Sequence, residues 1–421
     1  MTAISRRTFL ATSSAATLSA ASFARAADSP NERLRVAVMG GRIRGKAHLA
    51  MFPSQPNVEV THLIEPDDNI VPDALGVLAK HQKAVPKVET DIRKVLEDKT
   101  IDVLVVAAPD HWHALATVWA CQAGKHVYVE KPASHNLIEG RRMIEAARKH
   151  KRLVQVGTQR RSASHVLSAK EFVAAGKLGK VPFARAWIAG NRPSIGKKAN
   201  AEAPKGVDYD LWCGPAELRP FNPNRFHYNW HWFWDLGTGE IGNNGIHGLD
   251  LARNVLGLDA PTRISSAGGK YFYDDDQQTP DTQTASFDFP GCTLVWEHRI
   301  WAKKDIEGIN WGIALHGEKG TMIFDGKGWH IRDGVEASEK EGTGIETAHV
   351  KNFIDAIRTG SALTADIEEG HKSTRLCHLG NIAFRTSKTL KFDAKTETLG
   401  DADADKLLGR DYRKGFELPK V

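Results

Sequence analysis

Short, mostly apolar runs alternate with amphipathic stretches through the first 160 residues, and the alternation sets the expected architecture. Leu34 to Met39, Val58 to Ile64, Val103 to Ala107, His126 to Val129 and Leu153 to Val156 read as β-strands. The continuous apolarity of Val103 to Ala107 suits a strand covered on both faces. Helices are expected from Lys46 to Met51, from the end of Ala108-Pro109-Asp110-His111-Trp112-His113 to about Ala123, and over 137–150. Strands alternating with helices predict a parallel sheet. The pattern then changes. Arg263 to Ser266, Thr282 to Phe289, Thr293 to Ile300, Gly312 to His316 and Gly320 to Phe324 follow one another as strands of a mostly antiparallel sheet. Helices at 246–256, 347–359 and 369–387 accompany them, the last capped within Asp366-Ile367-Glu368-Glu369-Gly370-His371. The chain therefore divides into an α/β unit over 33–157 and an α+β unit over 158–400, with a tail over 401–421.

Residues 1–26 stand apart. Ser5-Arg6-Arg7-Thr8-Phe9-Leu10 precedes a Ser/Ala/Thr-rich stretch ending in Ala24-Arg25-Ala26, and no acid occurs before Asp28. This is the layout of a twin-arginine export signal, and it predicts a periplasmic or otherwise exported protein without an integral membrane anchor. Cleavage there removes Arg6, Arg7 and Arg25, so the formal charge of +6 falls to +3. Basic residues are dispersed among acids, which gives no footprint for nucleic acid. Cys121, Cys213, Cys292 and Cys377 are too few and too scattered for a disulfide scaffold or zinc site. Cys213 with Cys292 could pair on export, or all four could be buried thiols.

The first strand runs into Gly40-Gly41-Arg42-Ile43-Arg44-Gly45 and then a helix. Such a turn offers backbone N–H groups and a helix N-terminus to a pyrophosphate. The second strand ends at Glu65, where an acid grips a ribose hydroxyl pair and repels a 2′-phosphate, so NAD is expected over NADP. Arg42 sits at the middle glycine position, where backbone and phosphate usually approach. Glu130-Lys131-Pro132 follows another strand at the ligand-binding edge of the sheet. Pro132 restricts Lys131, and a nearby nicotinamide cation would favour the neutral amine. His111 and His113 lack partners at metal-ligand spacing, so no metal is expected. His113 is expected against cofactor or substrate, and His111 there or in a structural role.

In the second unit Phe226, Tyr228, Trp230, Trp232 and Trp234 alternate with His227, Asn229, His231 and Phe233. The period of two predicts an extended segment with one aromatic face, either packed under a sheet or stacked on sugar rings. Gly237 to Gly245 is expected as a flexible polar loop delivering His247 at the start of a helix. Tyr273-Asp274-Asp275-Asp276 reads as a solvated loop rather than a calcium site.

The glycine turn, Pro109 with His113, Glu130-Lys131-Pro132 and Gly245-Ile246-His247-Gly248-Leu249-Asp250 together resemble the Gfo/Idh/MocA family of glucose–fructose oxidoreductase, inositol dehydrogenase and rhizopine-catabolism proteins. The resemblance spans about residues 33–400. It implies an N-terminal Rossmann domain that binds NAD. It also implies a C-terminal α/β domain whose large open sheet makes a homodimer or homotetramer. Lys131 and His247 would then lie beside the nicotinamide and the reacting hydroxyl. The family often has an aspartate where this chain has Asn243, and an amide cannot take a hydroxyl proton. Cofactor contacts are expected from Gly40, Gly41, Arg42, Ile43, Arg44, Gly45, Glu65, Pro109, His113, Glu130 and Lys131. Substrate contacts are expected from Lys131, Tyr228, Trp230, Trp232, Asn243, Asn244 and His247, with Lys131, His247 and Asn243 serving the chemistry. The expected activity is oxidation of a secondary hydroxyl on a sugar, glycoside or cyclitol, with NAD kept bound and recycled outside the cytoplasm. The alternatives are glycoside cleavage through transient oxidation and elimination, and carbohydrate binding without catalysis.

Overall fold

The computed structural model describes residues 33–303, 306 and 308–421, so the export motif lies outside the described residues. The first sheet holds β1 (Leu34–Met39), β2 (Val58–Ile64), β3 (Lys87–Glu89), β4 (Val103–Val106), β5 (His126–Val129) and β6 (Val154–Val156). They run parallel in the order β3-β2-β1-β4-β5-β6. The order reverses between β1 and β4, which opens a crevice at their C-terminal ends. Val103 to Val106 are fully buried, as a strand covered on both faces requires.

The second sheet comprises β7 (Phe183–Ala189), β8 (Arg263–Gly269), β9 (Thr282–Phe289), β10 (Cys292–Arg299), β11 (Trp311–Gly317), β12 (Gly320–Phe324), β13 (Gly328–Arg332), β14 (Ser338–Lys340) and β15 (Leu390–Lys391). Its order is β14-β13-β12-β11-β7-β10-β9-β8-β15, and only β7 with β10 is parallel. Alternate residues of β9 and β10 are buried, so one face packs on helices Ile246–Leu256 and Ile367–Thr386 while the other is left more open. The strand β7, central to this sheet, was not foreseen. Its sequence FARAWIA mixes Phe, Trp and Ile with three alanines and an arginine, and its place is fixed by pairing with β10 and β11.

Two local expectations are corrected. The aromatic tract 226–234 is not an extended strand but a folded segment. A 3₁₀ turn spans Asn229–Trp232, and His227 adopts a φ of 50°. The rings alternate in sequence yet pack on one another instead of on a sheet. Gly237 to Gly245 is not a flexible polar loop either. Ile241–Gly245 forms a π-helical turn continuous with the helix Ile246–Leu256. A Cβ on Gly237 would lie 2.6 Å from the His231 Cα, and one on Gly242 would lie 1.8 Å from Thr238 Oγ1. These glycines serve close packing. The four cysteines are separate, buried thiols, so Cys213 and Cys292 do not pair. Asp366 does cap its helix, accepting from the Glu368 N–H.

The last residues fold back over the first domain. Phe416 enters its core, and Arg410 donates to the carbonyl of His111 at 2.7 Å. No helix among the described residues is long and apolar enough to cross a membrane.

Candidate active site

A deep cleft runs along the C-terminal ends of β1, β2, β4 and β5 and is roofed by residues 227–231 of the second domain. The glycine turn forms its floor. Gly40 has a φ of 96°, and a Cβ there would sit 2.6 Å from the Ala107 carbonyl oxygen. A Cβ on Gly45 would lie 1.8 Å from the Gly40 carbonyl oxygen, so helix and strand approach only because the side chain is absent. Arg42, exposed, occupies the N-cap position and leaves the turn open to the cleft. Glu65 ends β2 at the same wall and accepts the Gly41 N–H at 2.7 Å and the Asp67 N–H at 3.1 Å. Burial pushes its carboxyl up to about 7, against the pull of those two N–H groups. These residues fit a dinucleotide.

Lys131 stands at the other end. Its Nζ donates to the Asn243 backbone oxygen at 2.9 Å and to Oδ1 at 3.4 Å, which ties the first domain to the π-helical turn of the second. Burial lowers its pKa, while Glu130 and Asp110 oppose that shift. Glu130 lines the cleft, but its carboxylate is committed below the lysine. Its Oε1 accepts from Arg44 Nε at 2.9 Å and lies 2.8 Å from His48 Nε2. Those partners hold it well below the usual carboxylate range despite its burial. Arg44 also bonds Glu346 at 2.9 Å. The side chains of Arg44 and Glu130 are therefore a brace for the loop rather than free cofactor ligands. His113 plays a related part: its ring nitrogens face the Pro132 and Ala108 carbonyls at 2.7 and 2.9 Å. His111 is buried against the carbonyls of Leu236 and Trp212, a structural role.

His247 lies half-buried at the start of its helix, and burial together with Lys131 and Arg160 holds its ring well below the ordinary histidine range. It makes no hydrogen bond among the described residues. Pro109, Ile43, Tyr228, Trp230 and Asn243 line the cleft. Trp232 does not: it is fully buried, with the Arg192 guanidinium 3.8 Å above its ring. Asn244 is turned away as well, its Nδ2 donating to Glu240 Oε1 at 2.5 Å. Both were expected at the substrate, and both are spent on the second domain's own packing.

Asp110 and His231 also line the cleft, and the sequence reading did not mark either out. Asp110 is buried, accepts the Thr238 hydroxyl at 2.7 Å and is pushed up to about 6 by desolvation. Its signal was an acid opening a helix directly after a β-strand. His231 lines the roof beside Trp230, and nothing local in the sequence distinguishes it from its aromatic neighbours. Among the described residues no group of three or more His, Cys, Asp or Glu could hold a metal ion.

A glycine-turn cleft ending at a half-buried lysine, closed by a second domain, defines a two-domain nicotinamide-dinucleotide oxidoreductase. The chain belongs to the Gfo/Idh/MocA oxidoreductase family. Residues 34–158 match its NAD-binding Rossmann fold, and residues 191–418 match its C-terminal alpha/beta domain. The chain is 33% identical over 333 residues to myo-inositol 2-dehydrogenase of Thermotoga maritima, covering 75% of this chain and 86% of that protein. It is 27% identical over 359 residues to D-glucoside 3-dehydrogenase of Escherichia coli, covering 80% and 92%. With levoglucosan dehydrogenase of Pseudarthrobacter phenanthrenivorans it shares 27% identity over 230 residues, covering 54% of this chain and only about half, 52%, of that protein.

Proposed function

We propose that this chain is an exported, NAD-dependent oxidoreductase acting on a secondary hydroxyl of a sugar, glycoside or cyclitol. The placement of Lys131 carries the reading: its amine is held against Asn243, between the dinucleotide cleft and the helix bearing His247. Gly40, Gly41, Gly45 and Glu65 would hold NAD, which when bound accepts the hydrogen of the oxidised C–H. The protein's own work is to bind, orient and take the hydroxyl proton. Burial of Lys131 makes its neutral, proton-accepting form more accessible, and His247 is kept neutral beside it. Tyr228 and Trp230 offer aromatic surface to the C–H faces of a sugar ring. Relatives named for a glucoside, an inositol and levoglucosan support a polyhydroxyl substrate.

The export motif Ser5-Arg6-Arg7-Thr8-Phe9-Leu10 supports a periplasmic or otherwise exported enzyme that carries its NAD folded in and recycles it. The more open face of the nine-stranded sheet supports a homodimer or homotetramer. The test is to denature protein purified without added cofactor and identify the released nucleotide. The loaded protein is then given a panel of glycosides and cyclitols, with and without a carbonyl sugar as acceptor. NAD release and acceptor-dependent turnover are expected. Stoichiometric NADP, or failure to bind any nucleotide, refutes the reading. Sustained glycoside cleavage without an acceptor, with solvent deuterium entering next to the oxidised carbon, replaces it with oxidation–elimination.

A further inference from the structure

The roof of the cleft carries a histidine whose tautomer is fixed by its neighbours. His231 stacks on Trp230 with ring centroids 3.6 Å apart and an interplanar angle of 18°. Its Nδ1 lies in hydrogen-bond contact with the Tyr228 carbonyl. A carbonyl oxygen only accepts, so Nδ1 must carry the proton. A neutral imidazole has one N–H, and Nε2 is therefore left with a bare lone pair. That nitrogen has no hydrogen-bond partner among the described residues, and the residue lines the cleft that also holds Lys131, His113, Tyr228 and Asn243. The ring stays neutral because burial disfavours its cation, and Lys131, Arg192 and His113 add positive potential around it. Stack and carbonyl together leave the ring little freedom to turn.

Building on the proposed polyhydroxyl substrate, we propose that His231 is a substrate-selecting residue whose Nε2 accepts a hydrogen bond from a substrate hydroxyl other than the one oxidised. An acceptor without a donor discriminates. A hydroxyl meets it, whereas an ether or carbonyl oxygen at that place would face lone pair against lone pair. The role is in binding and orientation, not in taking the reacting proton, which falls to Lys131 or His247.

Two measurements test it. In the NAD-loaded holoenzyme labelled with ¹⁵N-histidine, the resonance that disappears in His231→Phe should report a protonated Nδ1 and an unprotonated, pyridine-type Nε2. Addition of methyl D-glucoside, levoglucosan or myo-inositol should shift that Nε2 resonance as it gains a hydrogen bond. In steady-state kinetics His231→Phe keeps the stacked ring and removes the acceptor. It should raise KM for whichever of these probes is turned over by roughly 3- to 10-fold, the range of one net hydrogen bond, with kcat changed less. A protonated Nε2, an Nε2 resonance unmoved by all three probes, or an unchanged KM in His231→Phe overturns the proposal. The tautomer is readable without turnover. A wild type that binds a probe at Nε2 but does not oxidise it would sink the proposed activity and leave the role of His231 standing.

Discussion

Glutamate 130 is the residue whose replacement bears most directly on how the lysine is held. Glu130→Gln keeps the shape and removes the charge. In the structure Oε1 meets Arg44 at 2.9 Å and His48 at 2.8 Å, and Oε2 receives the Lys131 N–H at 3.4 Å. The residue is 4% exposed. A glutamine could retain the contacts to one oxygen. Its NH₂ would then face the Lys131 N–H and the tight wall at Gly157, where a Cβ would already lie 3.0 Å from Oε2. Removing one partner of a buried ion pair costs about 3–5 kcal/mol. Arg44 keeps its bond to Glu346 and is partly exposed, which places the expected loss near the lower end, at about 3 kcal/mol. The assay is equilibrium urea unfolding of both proteins at several pH values. Because the folded carboxyl is held below its ordinary value, its stabilisation is present above an unfolded pKa of about 4.3 and fades as pH falls below it. The gap between wild type and variant should therefore be widest near neutrality and narrow in acid. Loss of Glu130 also removes a charge that supports the Lys131 ammonium, so the pH dependence of turnover due to that amine should move to lower pH. A variant as stable as wild type at neutral pH, or a gap that does not narrow on acidification, would refute the reasoning.

Lys131→Ala and His247→Ala should each lower turnover by roughly 10²–10⁴-fold, the contribution of a positioned acid or base, while the bound nucleotide measured after denaturation is retained. Full activity in both would mean that the chemistry lies elsewhere. Asp110 gives a pH signature of the opposite sign. Its folded pKa is raised to about 6, so its ionisation opposes folding as pH rises from the unfolded value through that point. Asp110→Asn should therefore gain stability relative to wild type above about pH 6 and show no such gain near pH 4 in the same unfolding series. The reverse trend would show that the buried carboxylate is favourably paired.

Which parts of this molecule could be read from the chain alone follows from the range of the forces involved. The strands ending at Met39, Ile64 and Val129 were legible because each ends in a short apolar stretch that is buried in the sheet. The glycine turn, Glu65 and the placement of Lys131 were legible because they are tied to those strand ends within a few residues. The aromatic tract was misread. Its period of two is a local signal, but the path of 226–234 is decided by packing of rings on one another and by Arg192 over Trp232. The same holds for Gly237 and Gly242, which look like freedom in the sequence and are contact in the fold. By itself the sequence determined the order of elements, the cofactor turn and the lysine at the sheet's edge. Only the tertiary structure decided that Glu130 and Arg44 brace the lysine, that Trp232 and Asn244 are turned away, and that Asp110 and His231 face the cleft. Several of those outcomes depend on partners far along the chain: Glu130 lies 86 residues from Arg44, and Asp110 lies 128 from Thr238. No local propensity encodes such pairings; they exist once burial has packed each domain and brought the two together.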